Sequence, residues 1–200
     1  QAQGADALKL VALLLGLMLS ACASLQKSPD LDAAQRLARD SYLKTHPDWS
    51  FKGRLAYSHQ GQGGTAQVHW RQSGRQSEIM LSAPMGIGSV KIRMDPSTAQ
   101  VFDASGRLLQ SGETQQMLEQ VLHVAMPVAS LMNGLRAYWP EHATVPYLTD
   151  ASAGIDADGW QWRYQEWVAE PVRLPKKLET SRADSRLRLI IDQWLEVADE

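Results

Sequence analysis

Residues 49–72 read WSFKGRLAYSHQGQGGTAQVHWRQ, and the period of this stretch decides the fold. Trp49, Phe51, Gly53, Leu55 and Tyr57 alternate with Ser50, Lys52, Arg54, Ala56 and Ser58. Successive side chains of an extended chain leave on opposite faces, so this alternation predicts a strand with one apolar face. Gly61, Gly63 and Gly64 supply a turn. Ala66, Val68 and Trp70, set against Gln67, His69 and Arg71, predict the return strand of an antiparallel hairpin. A phosphate-binding loop would follow such glycines with Lys-Ser or Lys-Thr, and neither stands there.

Toward the C-terminus the period of two recurs over residues 77–83 and over 89–94, where Val90, Ile92 and Met94 share a face. It recurs again over 99–103 and 107–111, around a Ser105-Gly106 turn. The spacing then becomes helical. Met117, Leu118, Val121 and Leu122 form one stripe behind a Thr114 cap, and Val128, Leu131, Met132 and Leu135 form a second, with Pro127 suited to its first turn. Strands resume at Trp160, Trp162 and Tyr164, over 172–181, and at Leu187, Leu189 and Ile191, with turns at Asp156–Gly159 and Arg182–Ser185. Toward the N-terminus, Leu31, Ala34, Leu37, Ala38 and Tyr42 predict an amphipathic helix that ends before Pro47. Strands in runs, rather than strands alternating with helices, exclude a doubly wound parallel sheet. The pattern predicts a mostly β fold with some α, a curved antiparallel sheet with helices gathered on one side.

Residues 8–19 read LKLVALLLGLML, shorter than the roughly 20 apolar residues a helix needs to cross a bilayer, and so predict the apolar region of a signal peptide. Leu19-Ser20-Ala21-Cys22 follows in the form of a bacterial lipobox, whose cysteine thiol receives a diacylglyceryl group before cleavage. Cys22 is the only cysteine of the 200 residues and cannot form an internal disulfide. Ala23 stands where an aspartate would signal inner-membrane retention in enteric bacteria, which points to the outer membrane. The chain thus divides into a signal peptide over 1–21, a lipidated, polar and proline-bearing tether over 22–30, and a single domain over 31–200. Its net charge of -2 implies no basic surface for nucleic acid.

No catalytic constellation stands out. The sequence lacks H-E-x-x-H, C-x-x-C and G-x-S-x-G, and its five histidines are scattered without metal-ligand spacing, so neither an enzyme nor a metal site is expected. Two features are unusual. Of seven tryptophans, Trp49, Trp70, Trp160, Trp162 and Trp194 fall within or at the ends of expected strands, where they either fill a thick core or wall an apolar cavity. Pro84-Met85-Gly86-Ile87-Gly88 joins two strands by a stiff turn from which Met85 either protrudes or folds back beneath the sheet.

Several motifs coincide with a known pattern: the lipobox, W-x-F-x-G-R-L-A-Y over 49–57, A-P-M-G-x-G-S before V-K-I, Met126-Pro127 at a helix start, G-W-Q-W-R-Y-x-x-W over 159–167, Leu174-Pro175, and L-R-L-I-I-D-Q-W over 187–194. The sequence resembles the LolB family of outer-membrane lipoprotein receptors over nearly all of the part after Cys22. It departs from the family in its Trp-Leu-x-Gly helix ending, where Asn133-Gly134-Leu135 and Tyr138-Trp139-Pro140 stand instead.

That resemblance implies an unclosed antiparallel β barrel whose concave side, covered by helices, holds acyl chains. The implied partners are a LolA-like periplasmic carrier, acylated lipoprotein cargo and outer-membrane lipids. It also implies a membrane-touching loop formed here by Pro84, Met85, Gly86 and Ile87, with Met85 in the leading position. Alternation selects Trp49, Phe51, Leu55, Val68, Trp70, Ile79, Leu81, Val90, Ile92, Trp162, Leu189 and Ile191 as residues that would line the cavity, and Leu118, Leu122, Leu131 and Leu135 as its helical cover. Apart from the lipid on Cys22 no cofactor is expected, and one-to-one handover suits a monomer. The main alternative is a static lipoprotein scaffold that uses its tryptophans only as core. A hydrolase ranks behind both, because no nucleophile, base or metal set can be named.

Overall fold

The computed structural model describes residues 31–84, 88–122, 126–139 and 153–195. Cys22 and the tether lie outside the described residues, as do Met85, Gly86 and Ile87 and the side chain of Leu122. Helix α1 (Ala33–Thr45) is followed by β1 (Trp49–His59), β2 (Gln62–Ser73), β3 (Gln76–Ser82), β4 (Ser89–Met94), β5 (Thr98–Asp103) and β6 (Leu108–Glu113). Helices α2 (Thr114–Leu122) and α3 (Val128–Arg136) come next, then β7 (Ala153–Ile155), β8 (Gln161–Val168), β9 (Leu174–Arg182) and β10 (Ser185–Leu195).

All of these strands join one antiparallel sheet in the order β6-β5-β4-β3-β2-β1-β10-β9-β8-β7. The first and last strands are therefore neighbours at its centre, while β6 and β7 stand at opposite ends without pairing, so the curved sheet is an unclosed barrel. β1 and β2 form the expected hairpin, with Phe51 opposite Trp70 and Leu55 opposite Ala66. One irregularity marks the central seam, where the β1–β10 register shifts between Lys52 and Gly53. A Cβ on residue 53 would run into the Ile190 carbonyl, so only glycine lets β10 approach there.

The two central helices span the opening. Helix α2 packs on β5 and β6, α3 packs on β9, and the helices touch each other, which carries cover from one end of the sheet toward the other. Thr114 stands as the first residue of α2 rather than before it, and its hydroxyl donates to the Asp95 carbonyl at 2.7 Å. Pro127 is the N-cap of α3 rather than a residue of its first turn. Gln115 ties the two helix starts together. Its amide donates to the Met126 carbonyl at 2.9 Å, and its oxygen accepts from the Val128 N–H at 3.1 Å.

Helix α1 corrects the expectation drawn from its apolar spacing. It begins with a capping box between Asp32 and Gln35, but Leu37 is 72% exposed and the buried residues are Arg39 and Leu43. The helix docks through hydrogen bonds at its C-terminal half. Arg39 donates to the carbonyls of Arg173 and Arg136, and Arg136 donates back to the carbonyls of Leu43 and His46 at 3.1 and 2.8 Å. Each arginine thus satisfies carbonyls near the end of the other's helix, where the helix dipole favours a cation. Burial, followed by the neighbouring Arg39 charge, pulls the Arg136 guanidinium down to about 10. Arg136→Met should preserve much of the packing yet strand these carbonyls, lowering the unfolding free energy by about 2 kcal/mol in a denaturant titration.

Candidate functional site: a helix-covered apolar chamber

Between the concave sheet face and the undersides of α2 and α3 lies an apolar void of about 40 Å³. Its walls come from Phe51 and Leu55 of β1, Val68 and Trp70 of β2, Ile79 and Leu81 of β3, Ile92 of β4, and Trp162 of β8. Leu178 and Thr180 of β9 and Leu187 and Leu189 of β10 complete them, and Leu118, Leu131 and Leu135 form the roof. The alternation of β1, β2, β3 and β10 places these residues on one face, because every second side chain points inward.

Nine of the twelve residues selected from sequence line this void; Trp49, Val90 and Ile191 do not. Trp49 instead closes one end of the core in an aromatic cluster, stacked on Phe51 at 5.9 Å, tilted against Trp70 at 5.9 Å and edge-on to Trp194 at 6.0 Å. Ile191 is buried among other core residues, and Val90 is half-buried against them. Three of the four selected roof residues line the void, and the side chain of the fourth, Leu122, is outside the described residues. Leu178, Thr180 and Leu187 were not selected. Leu187 already lay on an expected strand and alternates with Leu189, so the same rule finds it. Leu178 and Thr180 were hidden by Pro175-Lys176-Lys177 and by the register shifts between β8 and β9.

Hydrogen bonds hold the roof around its rim. There the Ser130 hydroxyl donates to Asp158 at 2.8 Å and Gln110 donates to Gln120 at 2.7 Å, while inside the core the buried Tyr164 hydroxyl donates to the Gly134 carbonyl at 2.9 Å. Burial raises the Tyr164 phenol well above its ordinary value, so it remains a neutral donor. Beneath α3, the Asp156 carboxylate accepts from the backbone N–H groups of Asp158 and Trp160 and from the Trp162 indole at 2.8 Å. This carboxylate fixes the orientation of a wall residue. Asp156→Ala leaves three donors without their acceptor and should lower stability by about 2–3 kcal/mol, measured by thermal or denaturant unfolding.

The loop joining β3 and β4 leaves the sheet at Pro84, which is exposed. Its base is closed by the Ala83 N–H donating to the Gly88 carbonyl at 3.0 Å. Among the described residues no group of three or more His, Cys, Asp or Glu side chains could hold a metal ion.

A family model described as Outer membrane lipoprotein LolB matches residues 47–194, which include the wall strands and both roof helices. The chain belongs to the LolB family. It is 33% identical over 167 residues to an outer-membrane lipoprotein LolB of Xylella fastidiosa, covering 80% of this chain and 77% of that protein. It is 29% identical over 201 residues to the LolB of Xanthomonas axonopodis pv. citri, covering 88% and 90%. In fold it is similar to a LolA superfamily protein from Nitrosomonas europaea. That structure aligns with a TM-score of 0.52 at 12% identity, over 85% of this chain and 96% of the other. LolB membership places this chain among outer-membrane lipoproteins and agrees with the lipobox around Cys22.

Proposed function

We propose that this LolB-family chain accepts acylated lipoproteins from a LolA-like periplasmic carrier and inserts them into the outer membrane, holding their acyl chains in the chamber beneath α2 and α3. Residues 1–21 are removed, Cys22 carries the lipid, residues 22–30 form the tether, and residues 31–200 make the binding domain. The chain acts as a monomer, without catalysis and without a cofactor beyond its own lipid.

The observation that carries this reading is the division of the roof between an apolar underside and a hydrogen-bonded rim. Sites for small molecules occupy upward of about 300 Å³, far more than the void of about 40 Å³, so ligand entry requires α2 and α3 to lift. Rim hydrogen bonds exchange with water at small net cost. The leucine underside does not, because exposed apolar area costs about 25 cal/mol per Å². Acyl chains cover that area and gain about 0.8 kcal/mol per buried CH₂, so the open form is populated when cargo is present. The chain carries no nucleotide-binding motif, and transfer runs downhill from the weaker holder to the stronger.

Mixing the protein with carrier loaded with a radiolabelled lipoprotein, without nucleotide, tests this function. Cargo should move into a complex with this protein and from there into vesicles. Cargo that stays on the carrier would overturn the reading and leave the scaffold.

A further inference from the structure

Among the described residues, three chamber-wall side chains bear hydrogen-bonding atoms, and the fold treats them differently. Trp162 is satisfied by Asp156. The indole N–H of Trp70 and the hydroxyl of Thr180 are buried without a hydrogen-bond partner, although both residues line the void. Trp70 is 5% exposed and Thr180 1%. Trp139 and Trp160 also have unpaired indoles, but neither lines the void.

Thr180 pairs with Trp162 of β8 and Leu187 of β10, and among the described wall residues it alone has neither a hydrocarbon nor an aromatic side chain. Valine has nearly its shape and would fill the same place without burying an unpaired hydroxyl. Each unpaired group costs about 1–3 kcal/mol in the closed protein. A polymethylene tail cannot relieve that cost, because it offers no acceptor. The carbonyl oxygen of an ester or amide can.

We propose that Thr180 and Trp70 form carbonyl subsites, at which the Thr180 hydroxyl and the Trp70 indole N–H donate to ester or amide carbonyls of the acyl groups. This inference rests on the acyl-chamber reading above. It adds that the ligand enters to the depth of its carbonyls, so the chamber distinguishes an acyl ester from an alkyl ether of equal length.

The test uses the full lipid-anchored protein in phosphatidylcholine nanodiscs, with its chamber photolabelled by a diazirine fatty acid. Competitors are water-soluble dihexanoyl glyceryl esters and the matching dihexyl ethers, each made with an S-glyceryl-cysteine head and with a phosphocholine head. The ester should compete about tenfold better than the ether. Thr180→Val and Trp70→Phe should each reduce this ratio, and together bring it to within about twofold of unity, ester and ether being compared within each variant because both residues belong to the wall. Thr180→Val should not lower the melting temperature, since it removes an unpaired group without opening a cavity. Ester preference with both heads assigns the subsites to acyl esters at large, and preference with the cysteine head alone assigns them to lipoproteins. Equal competition by ester and ether in the wild type, or a preference that survives the double substitution, overturns the subsites while leaving the chamber standing. Failure of any acyl compound to compete overturns both readings.

Discussion

Gly134→Leu is expected to detach the roof from the sheet. Gly134 lies in α3 directly over Trp162, and a Cβ at this position would come within 2.0–2.4 Å of three atoms of the indole's six-membered ring. The ring has little freedom to retreat, because its N–H is held by Asp156 and its strand is paired on both sides. The Gly134 carbonyl is also the acceptor of the Tyr164 hydroxyl, so displacing the helix breaks this buried bond as well. Even Gly134→Ala should cost about 3 kcal/mol, near the upper end for overpacking, and leucine should exceed that. Urea unfolding would show the loss. An apolar dye such as ANS should bind the leucine variant strongly and the wild type weakly. An alanine variant within about 0.5 kcal/mol of the wild type would mean that α3 does not rest on Trp162.

Met85→Glu is expected to separate acceptance of cargo from its delivery. The substitution changes none of the described wall residues and nothing in α2 or α3. Placing an ionised carboxylate in hydrocarbon costs about 3 kcal/mol, or more than a hundredfold in partition. Cargo should therefore still leave the carrier but remain on the receptor, detected as a stable complex and as absence of labelled lipoprotein from floated vesicles. Undiminished insertion would remove Met85 from the delivery step. Met85→Leu should deliver normally, which isolates the effect of charge from that of side-chain shape.

Much of the fold was legible because strand alternation and helical spacing are local. The hairpin over 49–72, the β3–β4 and β5–β6 pairs, and the two central helices all follow from short windows. The three-residue β7 carries no alternation and was not expected. Helix α1 misled for a different reason. Leu37 suggested an inward face, yet the helix is held by Arg39 and Arg136, whose carbonyl partners are distant in sequence and leave no apolar signature. Alternation also gives a face without giving a place along it. Trp49 shares its face with Phe51, but at the start of β1 it meets Trp194 and lies off the void. Gly134 carried no recognisable signal, since its role depends on a tryptophan brought over it by the turn at Asp156–Gly159.

The pairing of β1 with β10 also dictates when in its life the protein acquires its chamber. Leu55 and Leu189 lie directly opposite each other across this seam, and Arg54 reaches Asp192 by an ion pair 2.8 Å long. A chain still emerging from the ribosome or threading through an export channel holds β1 long before it holds β10. Until then, β1 presents an unpaired edge beside Phe51 and Leu55. Contacts so distant in sequence form slowly, because a long loop must close before they are rewarded. The chamber proposed to hold acyl chains therefore arises at the end of folding, and an unfinished chain has none in which a stray lipid could be trapped.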